Sequence, residues 1–218
     1  LSSVDFVVQN WGLIEYETAL SRQMDLVDLV QSGEVQDTLV FCTHPAVVTL
    51  GRGTREGDVF SWKGKVVEVN RGGRATYHGP SQIVIYPIVD LNRSGRDLHK
   101  FMRALETAMV NSLAEFAVIA NGRTIQMQDP GTNPVEATGV WYGSRKLASI
   151  GIGVRRWISF HGCALNIEND VNAFSGMRPC GFNVGTMVSM EEIMGTKPDR
   201  KAIEASLKRH LLNELSSL

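Results

Sequence analysis

The chain has 218 residues, enough for one domain with a full hydrophobic core. Apolar residues make up 43% and charged residues 21%, an ordinary globular balance, and a formal net charge of −1 gives no field that would draw the chain to nucleic acid or an anionic membrane. The three cysteines, Cys42, Cys163 and Cys180, are odd in number and unpaired in spacing, which argues against a disulfide framework and for a reducing, cytoplasmic setting.

At the N-terminus, Leu1 to Asp5 lacks the basic and apolar regions of a signal peptide, and no apolar run reaches membrane-spanning length. Ile14 to Val30 reads as an amphipathic helix with Tyr16, Leu20, Met24, Val27 and Val30 on one face. Thr38 to Cys42 and Ala46 to Leu50 are strand candidates separated by the His44-Pro45 turn. Lys65 to Val69 and Ile83 to Ile88 are two more, flanking a glycine-rich segment from Arg71 to Ser81. Leu98 to Phe116 is the longest helical pattern, with Leu98, Met102, Leu105, Met109, Leu113 and Phe116 on one stripe. Strands are expected near Arg123 to Gln126 and Glu136 to Tyr142, around a loop from Asp129 to Pro134. A hairpin turn at Tyr142 to Arg145 leads into a strand from Lys146 to Val154, and Trp157 to His161 and Ala164 to Ile167 close the strand series. Ser189 and Glu192 have the spacing of a capping box. A last helix starts around Thr196 to Asp199 and runs to about Leu215, with Ala202, Ala205, Leu207, Leu211 and Leu215 inward. Strands in a meander and separate long helices, with no linker, predict one α+β domain over 1–218 with a mainly antiparallel sheet and packed helices.

Four features carry chemistry. In Arg71 to Pro80 the paired glycines open backbone conformations closed to other residues, and free N–H groups there would suit a carbonyl or phosphate oxygen; a plain tight loop explains the same pattern. The segment has neither a P-loop nor a dinucleotide fingerprint. His78 and His161 each stand between an aromatic residue and a glycine, in what reads as loop context. Cys180 lies between Pro179 and Gly181 in a constrained loop, unlike Cys42 on its apolar run, and a thiol in such a place becomes nucleophilic when a cation stands close. Lys146 opens an apolar strand; it is either a solvated strand end or, if turned into an apolar pocket, a group that exchanges protons near neutral pH. Cys42-Thr43-His44 has no second ligand pair, so no metal is expected.

Taken together these stretches resemble the lipoyl(octanoyl) transferase family. The matching segments are Thr43-His44-Pro45 to Leu50-Gly51-Arg52, Arg71-Gly72-Gly73 to Tyr77-His78-Gly79-Pro80, Lys146 to Gly151, His161 to Asn166, and Pro179-Cys180-Gly181, in the family's order. The resemblance implies a lipoate/biotin protein ligase-like fold and an acyltransferase that needs no cofactor. It implies that Cys180 takes an octanoyl group from octanoyl-acyl carrier protein as a thioester and passes it to a lysine of an apo lipoyl domain, in 2-oxoacid dehydrogenase complexes or the glycine cleavage H protein. Lys146 would lower the cysteine pKa and shuttle protons. Arg71, Gly72, Gly73, Arg74, Ala75, Thr76, Tyr77, His78, Ser149, Ile150, Gly151, His161, Gly162, Cys163 and Ala164 would bind substrate. Two departures stand out: Ser81 replaces a common glycine, and Cys163 replaces a larger aliphatic residue and sets a second thiol near the site, where acyl migration is conceivable. Arg52, Arg55, Arg71, Arg74, Arg155 and Arg156 are either a basic rim for an acidic carrier or scattered solvated charges. The rival readings are an ATP-dependent lipoate or biotin ligase of the same fold and a non-catalytic acyl-binding protein; Leu50 to Arg55 is similar to a nucleotide-site loop.

Overall fold

The computed structural model describes residues 6–127 and 135–218, so the expectations for Leu1 to Asp5 and for the loop from Asp129 to Pro134 lie outside the described residues. In chain order the elements are β1 (Val7–Leu13), α1 (Tyr16–Ser32), β2 (Thr38–Thr43), β3 (Val47–Leu50), β4 (Lys65–Glu68), β5 (Thr76–His78), β6 (Gln82–Ile88), α2 (Leu98–Ala114), β7 (Asn121–Met127), β8 (Val135–Tyr142), β9 (Arg145–Arg155), β10 (Ile158–Asn166), α3 (Met190–Met194) and α4 (Arg200–Leu215). Seven strands form one sheet in the order β1-β2-β6-β10-β9-β8-β7, and β4-β3-β5 form a smaller one. Among the strands of the described residues, only β1–β2 in the large sheet and β3–β4 in the small one pair parallel, so the fold is α+β and mainly antiparallel.

Strand alternation divides the core. Leu39, Phe41, Ile83, Ile85, Ala148, Ile150 and Leu165 pack under α2 and α4, while Val40, Val84, Tyr86 and Phe160 pack under α1. α2 is capped by Asp97, whose carboxylate accepts from the Lys100 N–H. α4 is capped by Asp199, which accepts from the Lys201 and Ala202 N–H groups. Gly33 ends α1 in the left-handed conformation, φ +78°, that glycine adopts without penalty.

The structure adds one strand, β1, to those expected and corrects four readings of the sequence. β1 has no strong alternation and is half-exposed at the sheet edge, so its parallel pairing to β2 leaves no local signature. β5 forms inside the glycine-rich segment because His78 and Tyr77 pair with Val47 and Val48. β10 runs unbroken through Gly162, which opposes Gly151 on β9, so His161 lies within a strand and His78 ends one. On α4 the inward residues include Ile203 and Ser206, while Ala202 and Ala205 are exposed. Ser206 is tolerated there because Ser112 donates to its Oγ and its own hydroxyl donates to Glu115. The capping box forms by half: Ser189 accepts from the Glu192 N–H, but the Glu192 carboxylate turns to Arg145.

This assignment of faces predicts that Met109→Ala costs about 2–5 kcal/mol of unfolding free energy in urea, while Ala202→Ser changes it by less than about 0.5 kcal/mol. A large loss for Ala202→Ser would mean that the inward face of α4 is misassigned.

Candidate active site

Lys146 reaches the site through a bulge. Ala148, Ile150 and Ile152 point to the α2/α4 core, so Ser149 and Gly151 face the opposite side. Strict alternation would send Lys146 into the core as well. Instead Val140 pairs with Ala148 and Trp141 with Lys146, which leaves Leu147 as an extra residue. Leu147 and Ala148 both enter the core, and Lys146 swings to the side of Ser149. Gly139 makes room for its stem: a Cβ there would lie 2.7 Å from Lys146 Cε and 2.2 Å from the Ala148 carbonyl. The residue is only 1% exposed, with Nζ 5.6 Å from the Trp141 ring centroid.

Cys180 is presented by a strained turn. Pro179–Gly181 form a single 3-10 turn in which Cys180 takes φ +54°, a left-handed conformation costing a side-chain-bearing residue about 1–2 kcal/mol. Two hydrogen bonds hold it: Cys180 N–H to the Ala75 carbonyl at 2.7 Å, and Gly181 N–H to the Arg178 carbonyl at 2.9 Å. Below the turn lies a buried ion pair between Arg74 and Asp58. Gly181 is required there, since a Cβ would come within 2.5 Å of the Arg74 guanidinium. The turn aims Sγ at Lys146 Nζ, 3.3 Å away, with Ser149 Oγ at 3.9 Å.

The glycine-rich segment is stitched down on both sides. Gly72 N–H donates to the Ile152 carbonyl at 3.1 Å and Gly53 N–H to the Gly73 carbonyl at 2.9 Å. Gly73, at φ +81°, lets the chain turn back over Arg71. Burial alone would push the Cys180 thiol up. The charges of Lys146 and Arg71, with hydrogen bonds from Lys146 and Ser149, outweigh burial and bring it below the ordinary thiol range. Burial raises Cys42 and Cys163 instead, and nearby Glu106 adds to the rise at Cys163. Cys163 is therefore held as a thiol on the cavity wall, which speaks against acyl migration to it.

A cavity of about 260 Å³ joins these groups. Its lining includes Cys180, Lys146, Arg71, Gly72, Gly73, Arg74, Thr76, His78, Ser149, Ile150, Gly151, His161, Gly162, Cys163 and Ala164. Two residues expected to bind substrate do not line it. The Ala75 carbonyl holds Cys180 from behind, and Tyr77 packs against Trp62 and Phe174 with its hydroxyl on Asp170. Tyr16, Thr138, Leu98 and Met102 also line the cavity, although the sequence marks them only as helix faces or strand, because helical and strand periodicity register burial and not what fills the space beyond. Of the arginines read as a basic rim, Arg71 and Arg74 are buried, Arg155 pairs with Asp28, Arg156 donates to Gln31, and Arg52 is exposed where it lines the cavity.

One wall is a cluster of histidines and tyrosines. Tyr16 stacks on His78 with ring centroids 5.7 Å apart, and its hydroxyl lies 3.4 Å from His161 Nδ1. His44 links the Ile14 carbonyl, 2.7 Å from Nδ1, to the Tyr86 hydroxyl, 2.7 Å from Nε2. The paired aromatic-His-Gly motifs thus converge on one cavity from β5 and β10. Pro87 offers β10 no N–H, and the His161 N–H, at φ +57°, turns to Gln23 of α1 at 2.8 Å. Burial lowers the pKa of all three histidines, that of His161 to about 3, with Arg71 also acting on His78 and His161.

These depressed values set a pH dependence. The unfolded chain binds a proton at each of the three histidines near pH 6.5, while the native state refuses it, so stability falls as pH drops from about 6.5. Between pH 6.5 and 5, above the ordinary carboxylate range, the urea midpoint should decline less in His161→Gln than in wild type. Superimposable declines would mean that His161 takes up its proton in the native state.

Residues 15–212 match the family model of the lipoyl protein ligase A/B catalytic domain. The octanoyltransferase of Bdellovibrio bacteriovorus is 47% identical over 217 residues, which span 97% of this chain and 99% of that one. That of Geobacter metallireducens is 42% identical over 189 residues, 87% of this chain and 84% of the other. Among solved structures, a lipoate-protein ligase A bound with ATP superposes with a TM-score of 0.71 at 15% identity, covering 98% of this chain and 86% of its own. The biotin protein ligase of Aquifex aeolicus does so with 0.53 at 10%, covering 98% and 70%. These two establish the lipoate/biotin protein ligase-like fold. With a family model over nearly the whole chain and close relatives along its full length, the chain belongs to the lipoyl protein ligase A/B catalytic-domain family, alongside its octanoyltransferases, and is an acyltransferase.

Proposed function

We propose that the protein, as a single catalytic domain in the cytoplasm, transfers an octanoyl group from octanoyl-acyl carrier protein to a lysine of apo lipoyl domains, through a thioester on Cys180. The observation that carries this reading is the 3.3 Å approach of Lys146 Nζ to Cys180 Sγ at a cavity with apolar walls. The acceptors in view are the lipoyl domains of 2-oxoacid dehydrogenase complexes and the glycine cleavage H protein.

In the first half-reaction the Cys180 thiolate attacks the thioester carbonyl of the donor. The carrier thiol leaves with the proton of the Lys146 ammonium, and the S-acyl bond forms as the donor C–S bond breaks. In the second, the acceptor amine attacks the Cys180 thioester and gives up a proton to the Lys146 amine. Sulfur departs as thiolate, and the resting ion pair returns. Exchange between thioesters is nearly isoenergetic and amide formation from one is downhill, so neither step calls for ATP. Burial of the eight-carbon tail would contribute on the order of 5 kcal/mol at ~0.8 per methylene. One methylene more or less is worth only ~1–3 kcal/mol, so length selection would need a blocked end to the acyl slot rather than the burial of one methylene.

Mixing the protein with octanoyl-acyl carrier protein without nucleotide should add one octanoyl group by intact-mass spectrometry. The adduct should be released by hydroxylamine and absent in Cys180→Ser. Transfer that needs ATP and survives Cys180→Ser would favour a ligase of the same fold; no adduct and no transfer would favour an acyl-binding protein.

A further inference from the structure

Arg71 is buried, 6% exposed, yet among the described residues no carboxylate pairs with it. Its hydrogen bonds go to neutral acceptors. Nη1 donates to the Gly72 and Arg74 carbonyls, both at 2.9 Å, and Nη2 to the Thr49 carbonyl at 3.0 Å and Thr49 Oγ1 at 2.8 Å. Nε is buried without a partner. Glycines shape the slot: a Cβ at Gly51 would lie 2.8 Å from Nη1, and one at Gly151 would lie 3.2 Å from Cδ. A guanidinium does not deprotonate in proteins, so its charge must find compensation nearby. Arg74, by contrast, has its own carboxylate in Asp58.

The cavity that Arg71 lines also holds Cys180. We propose that Arg71 is the second counter-cation of Cys180, a positioning residue whose fixed charge stabilises the thiolate before acylation and the departing thiolate in the second half-reaction. The two cations divide the work. Lys146 touches the sulfur and gives or takes a proton in each half-reaction, whereas Arg71 holds its charge throughout. When Cys180 is acylated its negative charge disappears and the proton of Lys146 has left with the carrier thiol. Arg71 then remains as a buried cation with no anion opposite, and expulsion of sulfur as thiolate restores its partner. The driving force for deacylation thus includes the recovery of that pair.

Other charged or titratable groups around the sulfur do not substitute for it. Asp58 is taken up by Arg74, His78 and His161 are neutral at working pH, and Tyr16 has its ionisation pushed up to about 12. The direction of the Cys180 shift, to which Arg71 contributes after Lys146, agrees with the geometry.

The role as second counter-cation rests on the thioester reading only in its second half; the effect on the resting thiol is independent of it. The test is the pH dependence of iodoacetamide alkylation of Cys180, read by peptide mass, which requires no acyl donor. With Lys146 intact, Arg71→Met or Arg71→Gln should move the pH of half-maximal rate up by about one pH unit, and Arg71→Lys should bring it back toward wild type. A profile in either neutral variant that overlays wild type, with the fold kept by circular dichroism, overturns the proposal. Should both neutral variants fail to fold, Lys146→Met decides. With Arg71 still in place its Cys180 should titrate below pH 10, and a thiol unreactive up to that pH shows that the Arg71 charge does not reach it. An Arg71 effect on alkylation without any octanoyl adduct on wild type would sink the transfer reaction and leave the electrostatic pairing standing.

Discussion

The contact between Cys180 Sγ and Lys146 Nζ, 3.3 Å long, organises the site. A thiol sunk in protein is normally kept neutral, as Cys42 and Cys163 are, because low polarity penalises its anion. Cys180 departs from them because cations stand beside it, with a hydrogen bond from Ser149 in support. Each unusual backbone feature nearby can be traced to that requirement. A bulge at Leu147 brings Lys146 to the correct face, Gly139 clears its stem, and a left-handed residue at the tip of a 3-10 turn points the sulfur back at it. These local costs are met by the rigid sheet on which the residues ride, the usual relation of a strained site to its scaffold.

The cavity has two kinds of wall. Around Ile150, Met102 and Leu98 it is apolar and suits a hydrocarbon tail. Around Tyr16, His78 and His161 it is polar but uncharged, because burial and the Arg71 charge keep the imidazoles unprotonated. His78 Nδ1 and His161 Nε2 are buried without partners, an arrangement that suits hydrogen bonding to the polar part of a substrate and offers no competing positive charge at the sulfur. Arg52 and Arg74 also line the cavity, but the cations that act on the sulfur are Lys146 and Arg71.

The sequence already exposed the elements with strong periodicity or capping chemistry. α1, α2 and α4, the central strands and the Gly143 hairpin turn all follow from local pattern and turn chemistry. What escaped it was determined by partners distant in the chain. β1 is ordered by a parallel neighbour, β5 by pairing with β3, and β10 continues through Gly162 by pairing with β9, where Gly162 opposes Gly151. The same limit applies to the site. The loop setting of Cys180 and its proline and glycine flanks were readable, but the bulge that delivers Lys146 lies in a strand pairing, and no spacing in the sequence reports it. Nor could spacing tell Arg71, with its neutral partners, from Arg74, with its carboxylate: both stand in one basic, glycine-rich stretch.

The central claim is that sulfur at position 180 carries the acyl group between two partners, and single turnover tests it most directly. Protein octanoylated on Cys180, freed of donor and mixed with an apo lipoyl domain, should pass its octanoyl group to the domain lysine in stoichiometric amount. That transfer should be as fast as steady-state turnover or faster. An adduct that persists while donor-driven turnover proceeds would contradict the account, because the acyl group would then be travelling by another route.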